Sequence, residues 1–444
     1  MTMLLYSAAL TLGLLLSSPW WLLRLATTER YREGLRQRLG AVPYSLEIAV
    51  RRFRVGRRVV WVHAVSVGEV LAATRLVAEL EAALGALGHD GWRVVVSTTT
   101  RTGQALARER FGAERVFYMP LDFGFAVRAY LHALRPAALI LMESELWPRM
   151  LHECRHAGVP VAVVNARVSD RSFARAMRVR RIWGKVLRGV TLWLAQSEED
   201  ARRLVAMGAQ NVSAIGNLKY DVRAPKQSRV SELIKEAAAG RPVIVGGSTL
   251  ELSEDSNLIN AQQAVPIEAR PLLVLAPRHP DEFELVYSMA MEDPTLYATD
   301  LIAGKKAQDG FSVRLRENEQ AVVQIIVLNT IGDLASVYGI ADVAFVGGSL
   351  VKRGGHNPLE PAQFGIPVIM GPSFENFRDV VAKMQAADAI CIVEDWEQLQ
   401  GVVLGMLKDR EAAKAMGERG RRVFEEQQGA TARAVEAIVA MVMR

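Results

Sequence analysis

The chain has 444 residues, half of them hydrophobic, 23% charged and only 7% aromatic. That balance builds more than one packed core and excludes a disordered, collagen-like or coiled-coil polypeptide. Two cysteines, Cys154 and Cys391, lie far apart in sequence, which excludes a disulfide framework or a zinc knuckle and favours a reducing compartment.

The formal net charge of +6 is local. Residues 24–60 hold ten arginines against three glutamates, a surplus of seven, so the chain beyond is close to neutral. This basic stretch directly follows residues 1–23, which carry no charged side chain. An apolar segment followed by cations suits a membrane surface better than a nucleic acid. Met1–Leu23 as a helix would reach about 34 Å, enough for a hydrocarbon core of ~30 Å. Trp20 and Trp21 fall at its end, where amphipathic rings favour the interface. No basic residue precedes the apolar run and no small-x-small cleavage site follows, against a secretory signal. The arginines on its C-terminal side hold the rest of the chain in the cytoplasm. Pro19 and the serines leave a full span and a shallow anchor both open.

Apolar runs without alternation then predict strands covered on both faces, as in a parallel sheet. The first series is Val59–His63, Val94–Ser97, Val116–Met119, Ala138–Met142, Val161–Val164 and Leu192–Ala195. The second is Val243–Val245, Leu272–Leu275, Val323–Leu328, Val343–Val346, Val368–Met370 and Ile390–Val393. Helical patterns alternate with both. Residues 222–240, charged and containing Pro225, are read as a linker. The predicted organisation is an anchor at 1–23, a Rossmann-like α/β domain at 24–221, a second at 241–425 and a C-terminal helix at 426–444. That helix can pack on either domain. Two doubly wound domains create a cleft between the carboxyl ends of their strands.

Five segments carry candidate chemistry. In Trp61-Val-His-Ala-Val-Ser-Val-Gly-Glu69, a strand, a turn with Ser66 and Gly68, and a helix start set Glu69 at the carboxyl edge of the sheet. A carboxylate there can be a general base, kept ionised by the helix dipole, or simply a helix cap. In Glu143-Ser-Glu-Leu-Trp-Pro148, Glu143 and Glu145 either face the cleft together or form a solvated strand end. From Arg167 to Arg188 there are eight basic residues and one acid, interleaved with Phe173, Met177, Ile182, Trp183 and Leu187. That predicts one basic amphipathic helix suited to anionic headgroups or an acidic lipid acceptor. Pro277-Arg278-His279-Pro280 is a rigid turn able to clamp an anion. The glycine loop from Gly347 to Glu360 leads to Asn357, which caps a helix with Pro358 in its first turn; the exposed N–H groups of that helix start would seat a phosphate, with Glu360 in reach of a ribose diol. It lacks the Gly-Lys-Ser/Thr of a Walker loop. His63, His279 and His356 show no ligand spacing and Asp-x-Asp is absent, so no metal and no cofactor are expected.

Together these motifs resemble the 3-deoxy-D-manno-octulosonic acid (Kdo) transferases of lipopolysaccharide assembly, membrane-associated glycosyltransferases of family 30 with the GT-B fold. The matches run in order: HAVSVGE at 63–69, STTTRTG at 97–103, ESELWP at 143–148, NARVSDRS at 165–172, AQSEED at 195–200, GNLKYD at 216–221 and PRHP at 277–280. GIADVAFVGGSLVKRGGHNPLEP at 339–361 and GIPVIMGP at 365–372 complete them. The resemblance implies two Rossmann-like domains facing across a cleft. It also implies inverting, metal-independent transfer of Kdo from CMP-Kdo to the tetraacyl lipid A precursor. Glu69 is then the catalytic base, with Ser66, Gly68, Glu143, Glu145 and Arg167 on the acceptor side. Arg278 and the loop of Gly354, Gly355, His356 and Asn357 are implied to hold the CMP phosphate and Glu360 the ribose, with His279, Gly348 and Lys352 as further substrate-binding residues. The implied location is the cytoplasmic face of the inner membrane, in contact with anionic lipid and with no nucleic-acid partner.

One segment departs from the pattern. Gly247-Ser-Thr-Leu-Glu-Leu-Ser-Glu254 stands where such transferases carry Ser-Thr-His-x-Gly-Glu. Ser248 and Thr249 remain donor-side candidates, and the contribution of Glu251 or Glu254 stays open. Two other readings are another GT-B transferase using a UDP-sugar and a lipid-linked acceptor, and a membrane-tethered sensor that binds without turnover. HAVSVGE and ESELWP argue against the first; Glu69 together with a complete donor loop argues against the second.

Overall fold

Each apolar run becomes a strand because a parallel strand, covered by helices on both faces, has no side that needs to be polar. In the computed structural model the described residues are 2–28, 32–51, 58–86, 91–143, 145–221, 227–291, 298–302, 312–313 and 324–443. Arg30, Arg52, Arg54 and Arg57 of the basic stretch, Ser144, Val323, and residues 222–226 of the expected linker, Pro225 among them, lie outside these. The chain divides into two compact units: Met1–Val222 with Gln428–Arg444, and Arg223–Gln427.

The first unit holds β1 (Arg58–His63), β2 (Trp92–Thr98), β3 (Val116–Tyr118), β4 (Pro136–Met142), β5 (Val161–Ala166), β6 (Leu192–Ala195) and β7 (Val212–Ala214). They form a parallel sheet in the order β3-β2-β1-β4-β5-β6-β7. The order reverses between β1 and β4, and the segments following those two strands open at that switch point, where α/β sheets bind ligands. Alternate side chains of β1 serve opposite faces. Trp61 packs with Phe117 and Tyr130, whose rings stack 4.9 Å apart. Val60 and Val62 pack with Val70, Leu76 and Leu80 of the helix Val67–Ala86 and with Ala434 and Ile438 of the helix Ala430–Val442. Burial of each such side chain contributes about 1.5–3 kcal/mol. The C-terminal helix therefore completes the first unit. Asp221 clasps its start, accepting the Gly429 and Thr431 N–H groups.

The second unit holds β8 (Val243–Thr249), β9 (Leu272–Pro277), β10 (Ala298–Ile302), β11 (Ser312–Val313), β12 (Ile325–Val327), β13 (Val343–Val346), β14 (Val368–Met370) and β15 (Ile390–Ile392). Their order is β11-β10-β12-β9-β8-β13-β14-β15, parallel except for the β10–β11 pair. The switch point here lies between β8 and β13. Part of the expected linker is core: in the helix Arg229–Ala238, Val230, Ile234 and Ala238 pack with Val243 and Val245.

Two helices differ from expectation. The basic stretch forms two helices, Asp170–Arg178 and Arg180–Leu187, because Val179 leaves helical backbone angles (φ −123°, ψ 30°). The N-terminal segment is one helix, Thr2–Thr27, with Pro19 inside it. Leu12, Leu15, Leu16 and Leu23 are exposed along it, while the Tyr6 hydroxyl donates to Asp122 at 2.8 Å. Among the described residues no helix is long and apolar enough to cross a membrane.

Candidate active site

Glu69 stands in the first turn of the helix that follows β1. Ser66 and Glu69 have the Ser-x-x-Glu spacing of a capping box. The Ser66 hydroxyl donates to Glu69 Oε1 at 3.0 Å and the Val65 N–H to Oε2 at 2.8 Å. The glutamate does cap its helix, yet each oxygen accepts only one bond among the described residues, half of what a carboxylate can take. Burial pushes the Glu69 carboxyl above its usual range. The Val65 N–H works against that, and the charges of Glu143 and Glu145 add to it. Burial rather than the helix dipole sets the direction. Glu143 directly follows β4, with its N–H on the Val164 carbonyl at 2.8 Å and a left-handed φ of 57°, a conformation that costs energy for a residue with a side chain. Glu145 is half-buried and is also pushed up, by burial and by Glu143. The switch point of the first sheet thus gathers three carboxylates. Gly68 has open space above it, and Arg167 is exposed just beyond β5.

The other segments matching the resemblance brace this edge. His63 is buried, with Nδ1 2.9 Å from Ser97 Oγ, and burial lowers its pKa to about 4, so it is neutral. Asn165 accepts the Leu218 N–H at 3.0 Å, and Asp200 accepts the Val168 N–H at 2.7 Å.

In the second unit, β9 runs into Arg278, whose N–H donates to the Thr249 carbonyl at 3.0 Å. His356 is held at a pKa of about 4 by burial and by the adjacent Arg278 and His279. Burial pushes the Glu360 carboxyl up, against a hydrogen bond from Asn357 and the charge of Arg278. Asn357 Oδ1 also accepts the Leu359 N–H at 3.1 Å. Arg278, His279, His356, Asn357 and Glu360 therefore meet in one place, beside the β8–β13 switch point. Lys352 is exposed, and Ser248 has a left-handed φ of 55°.

The exposed N–H groups expected at the helix start after Asn357 are taken at Leu359 by Asn357 Oδ1, and those of the glycine loop that leads there are taken as well. The Gly348 N–H is taken by Glu254 at 2.7 Å, Gly354 by Ser373 Oγ at 2.9 Å, Gly355 by the Gly348 carbonyl at 2.8 Å and His356 by the Gly347 carbonyl at 3.1 Å. An anion at this loop meets side chains rather than a row of open N–H groups. The glycines serve close approach of the loops instead: a Cβ on Gly347 would lie 2.5 Å from the Ser248 carbonyl oxygen.

Comparison with known proteins fits this architecture. The family model for 3-deoxy-D-manno-octulosonic-acid transferase (kdotransferase) matches residues 33–222, and that for group 1 glycosyl transferases matches residues 298–423. A 3-deoxy-D-manno-octulosonic acid transferase of Bordetella pertussis is 35% identical over 85% of this chain and 86% of its own. One of Haemophilus influenzae is 31% identical over 85% and 86%. The chain belongs to the Kdo transferase family. It is accordingly a glycosyltransferase of lipopolysaccharide biosynthesis. At the level of fold, the Kdo transferase is similar to Acinetobacter baumannii MurG, with TM-score 0.52, 14% identity and 86% of this chain and 99% of that one covered. It is also similar to a UDP-GlcNAc 2-epimerase of Neisseria meningitidis, with TM-score 0.56, 12% identity and 86% and 100% covered. Both support the GT-B assignment of its two parallel-sheet domains.

The Kdo transferase also holds residues that sequence reasoning passed over. Asp122 accepts the Arg149 and Met150 N–H groups at 2.9 and 2.7 Å, capping from a distant loop the helix Pro148–His156 that follows ESELWP. No local spacing signals such a cap. Conversely, His152-Glu-Cys-Arg-His156 has the H-E-x-x-H spacing of a zinc-binding helix. Its Glu153 is buried and paired with Arg128 and Arg149, and among the described residues no group of three or more ligating side chains could hold a metal.

Proposed function

We propose that this Kdo transferase moves Kdo from CMP-Kdo to the tetraacyl lipid A precursor, with inversion at the anomeric carbon, no metal, and Glu69 as general base. The observation that carries the reading is the environment of Glu69: a half-satisfied carboxylate whose proton affinity is raised by burial and by two neighbouring carboxylates. A base with a raised pKa takes a proton more readily in the transition state. Glu69 removes the proton of the acceptor hydroxyl as its oxygen bonds to the anomeric carbon. The bond from that carbon to the CMP phosphate breaks, and CMP leaves with the electron pair. Arg278 and His279 hold the phosphate with His356, whose neutral ring donates one N–H without adding charge. Glu360 accepts from the ribose hydroxyls.

The same reading assigns the apolar helix Thr2–Thr27 to a shallow seat in the inner membrane, with Trp20 and Trp21 at headgroup level. Catalysis then takes place on the cytoplasmic face. Exposed Arg175, Arg178, Arg181 and Lys185 meet anionic headgroups and the phosphates of the acceptor.

The test is a transfer assay with lipid A precursor and CMP-Kdo generated in situ, with products read by mass spectrometry. Added Kdo masses that vanish in Glu69→Ala, with CMP binding retained, are expected and also count the sugars transferred. A folded, CMP-binding wild type that makes no product sinks the assignment.

A further inference from the structure

Glu254 lies in the first turn of the helix Ser253–Gln263 and is fully buried. Its Oε2 accepts the N–H groups of Leu250 at 2.9 Å and Gly348 at 2.7 Å, and its Oε1 those of Ser349 at 3.0 Å and Leu350 at 2.9 Å. Two donors on each oxygen saturate the carboxylate. A ring of backbone N–H groups after a strand is an anion seat, and this one is filled by the protein's own side chain.

The grip passes outward in two steps. With Gly348 to Leu350 fixed, the carbonyls of Gly347 and Gly348 accept the N–H groups of His356 and Gly355 at 3.1 and 2.8 Å. The His356 ring then lies against Gly348: a Cβ there would be 3.0 Å from the ring Cδ2 and 3.3 Å from Leu250 Cδ1. Leu250 and His356, the two side chains flanking Gly348, are thus both set by one carboxylate. The neighbouring Asp255 holds the other loop, accepting from Thr249 Oγ1 at 2.6 Å, while the Thr249 carbonyl accepts the Arg278 N–H at 3.0 Å.

We propose that Glu254 is the positioning residue of the donor site: it occupies the amide nest in place of a substrate phosphate and thereby fixes His356 opposite Arg278. The donor phosphate is held by side chains, and Glu254 acts on it only through the loop. The proposal deepens the CMP-Kdo reading above and rests on it for the identity of the ligand.

Full-length Glu254→Gln and Glu254→Asp test it against wild type. Gln keeps the size but turns an NH2 toward two N–H donors; Asp keeps the charge with a shorter reach. The measurements are CMP affinity by calorimetry, hydrogen–deuterium exchange over residues 343–358, thermal melting, and KM for each substrate. Glu254→Gln is expected to exchange faster at 343–358 and to bind CMP about 10- to 100-fold more weakly. The acceptor KM should stay unchanged, and Asp should recover part of both losses. A purely structural role would lower the melting temperature and leave CMP affinity within about twofold. That result, or unchanged exchange at 343–358 in the folded variants, overturns the proposal. Wild-type protein that binds no CMP overturns the donor reading instead, and the exchange data then decide the role of Glu254.

Discussion

Glu69 and Glu254 occupy matching places in the two units. Each stands in the first turn of the helix that follows its unit's first strand, beside the point where strand order reverses. Their surroundings differ. Glu254 is fully buried and accepts four N–H groups; Glu69 is 7% exposed and accepts one N–H and one hydroxyl. The residue type and local position are the same, so what separates the two carboxylates is the number of donors already committed to each. The wider sites follow suit. Carboxylates gather around Glu69, whereas Arg278, His279 and His356 gather beyond Glu254. On the proposed reading, the same local topology gives the first unit a proton acceptor and the second unit a cationic cluster for an anionic leaving group.

Exchanging the two glutamates' roles in experiment is the sharpest way to break this comparison. Glu69→Gln should lower kcat by about 10²–10⁴-fold, the usual contribution of a general base, while CMP affinity stays within about twofold. Gln still accepts from Ser66, so the helix start should survive. Substantial turnover in this variant would remove Glu69 from proton transfer and leave it a helix cap.

Two histidines, His63 buried and His356 half-buried, supply a second comparison. His63 in the first unit and His356 in the second both have folded pKa values of about 4, below the ~6.5 of an unfolded chain. The unfolded chain therefore takes the proton first, and stability falls as pH drops from about 6.5 toward 4. For His63 the full loss is about 3 kcal/mol. Urea midpoints measured from pH 7 to pH 4.5 should show it, and His63→Asn should flatten the first unit's share. A pH-independent midpoint would refute the neutral assignment.

Arg278→Ala should weaken CMP binding about 10- to 100-fold, as loss of charge-assisted hydrogen bonds does, without changing the acceptor KM. An effect on the acceptor alone would remove Arg278 from the cationic end. The smallest shift concerns pH. A raised Glu69 pKa means that kcat/KM rises with pH through a midpoint above the ordinary carboxylate range. Removing a neighbouring charge by Glu145→Gln should move that midpoint down by under about one pH unit. Movement in the other direction would contradict the carboxylate cluster.

Twelve strands were legible as apolar runs because burial on both faces leaves an unbroken signature. The edge strand Val212–Ala214 was not: it is exposed or half-buried, and Val-Ser-Ala carries no such run. The site was legible in its residue types but not in its bonding. Glu251 and Glu254 look alike in sequence, yet left-handed backbone at Ser248, Glu251 and Leu252 turns the chain so that Glu251 pairs with Arg353 at the surface and Glu254 points inward. The amides of the glycine loop are claimed by partners as far as 96 residues away in sequence, which no local pattern shows. Local patterns report what one segment prefers; they do not report which distant carbonyl or carboxylate has already claimed a donor.

The clasp of Asp221 on the final helix bears on how the protein is made. Residues 223–427 form the second unit, inserted between two stretches of the first, so the ribosome releases the second unit's sequence before the first unit's last helix emerges. The usual order, in which the N-terminal domain folds to completion first, is unavailable to this chain. Its first unit must wait, with the Val60 and Val62 side of its sheet not yet covered by Ala434 and Ile438, until that helix emerges.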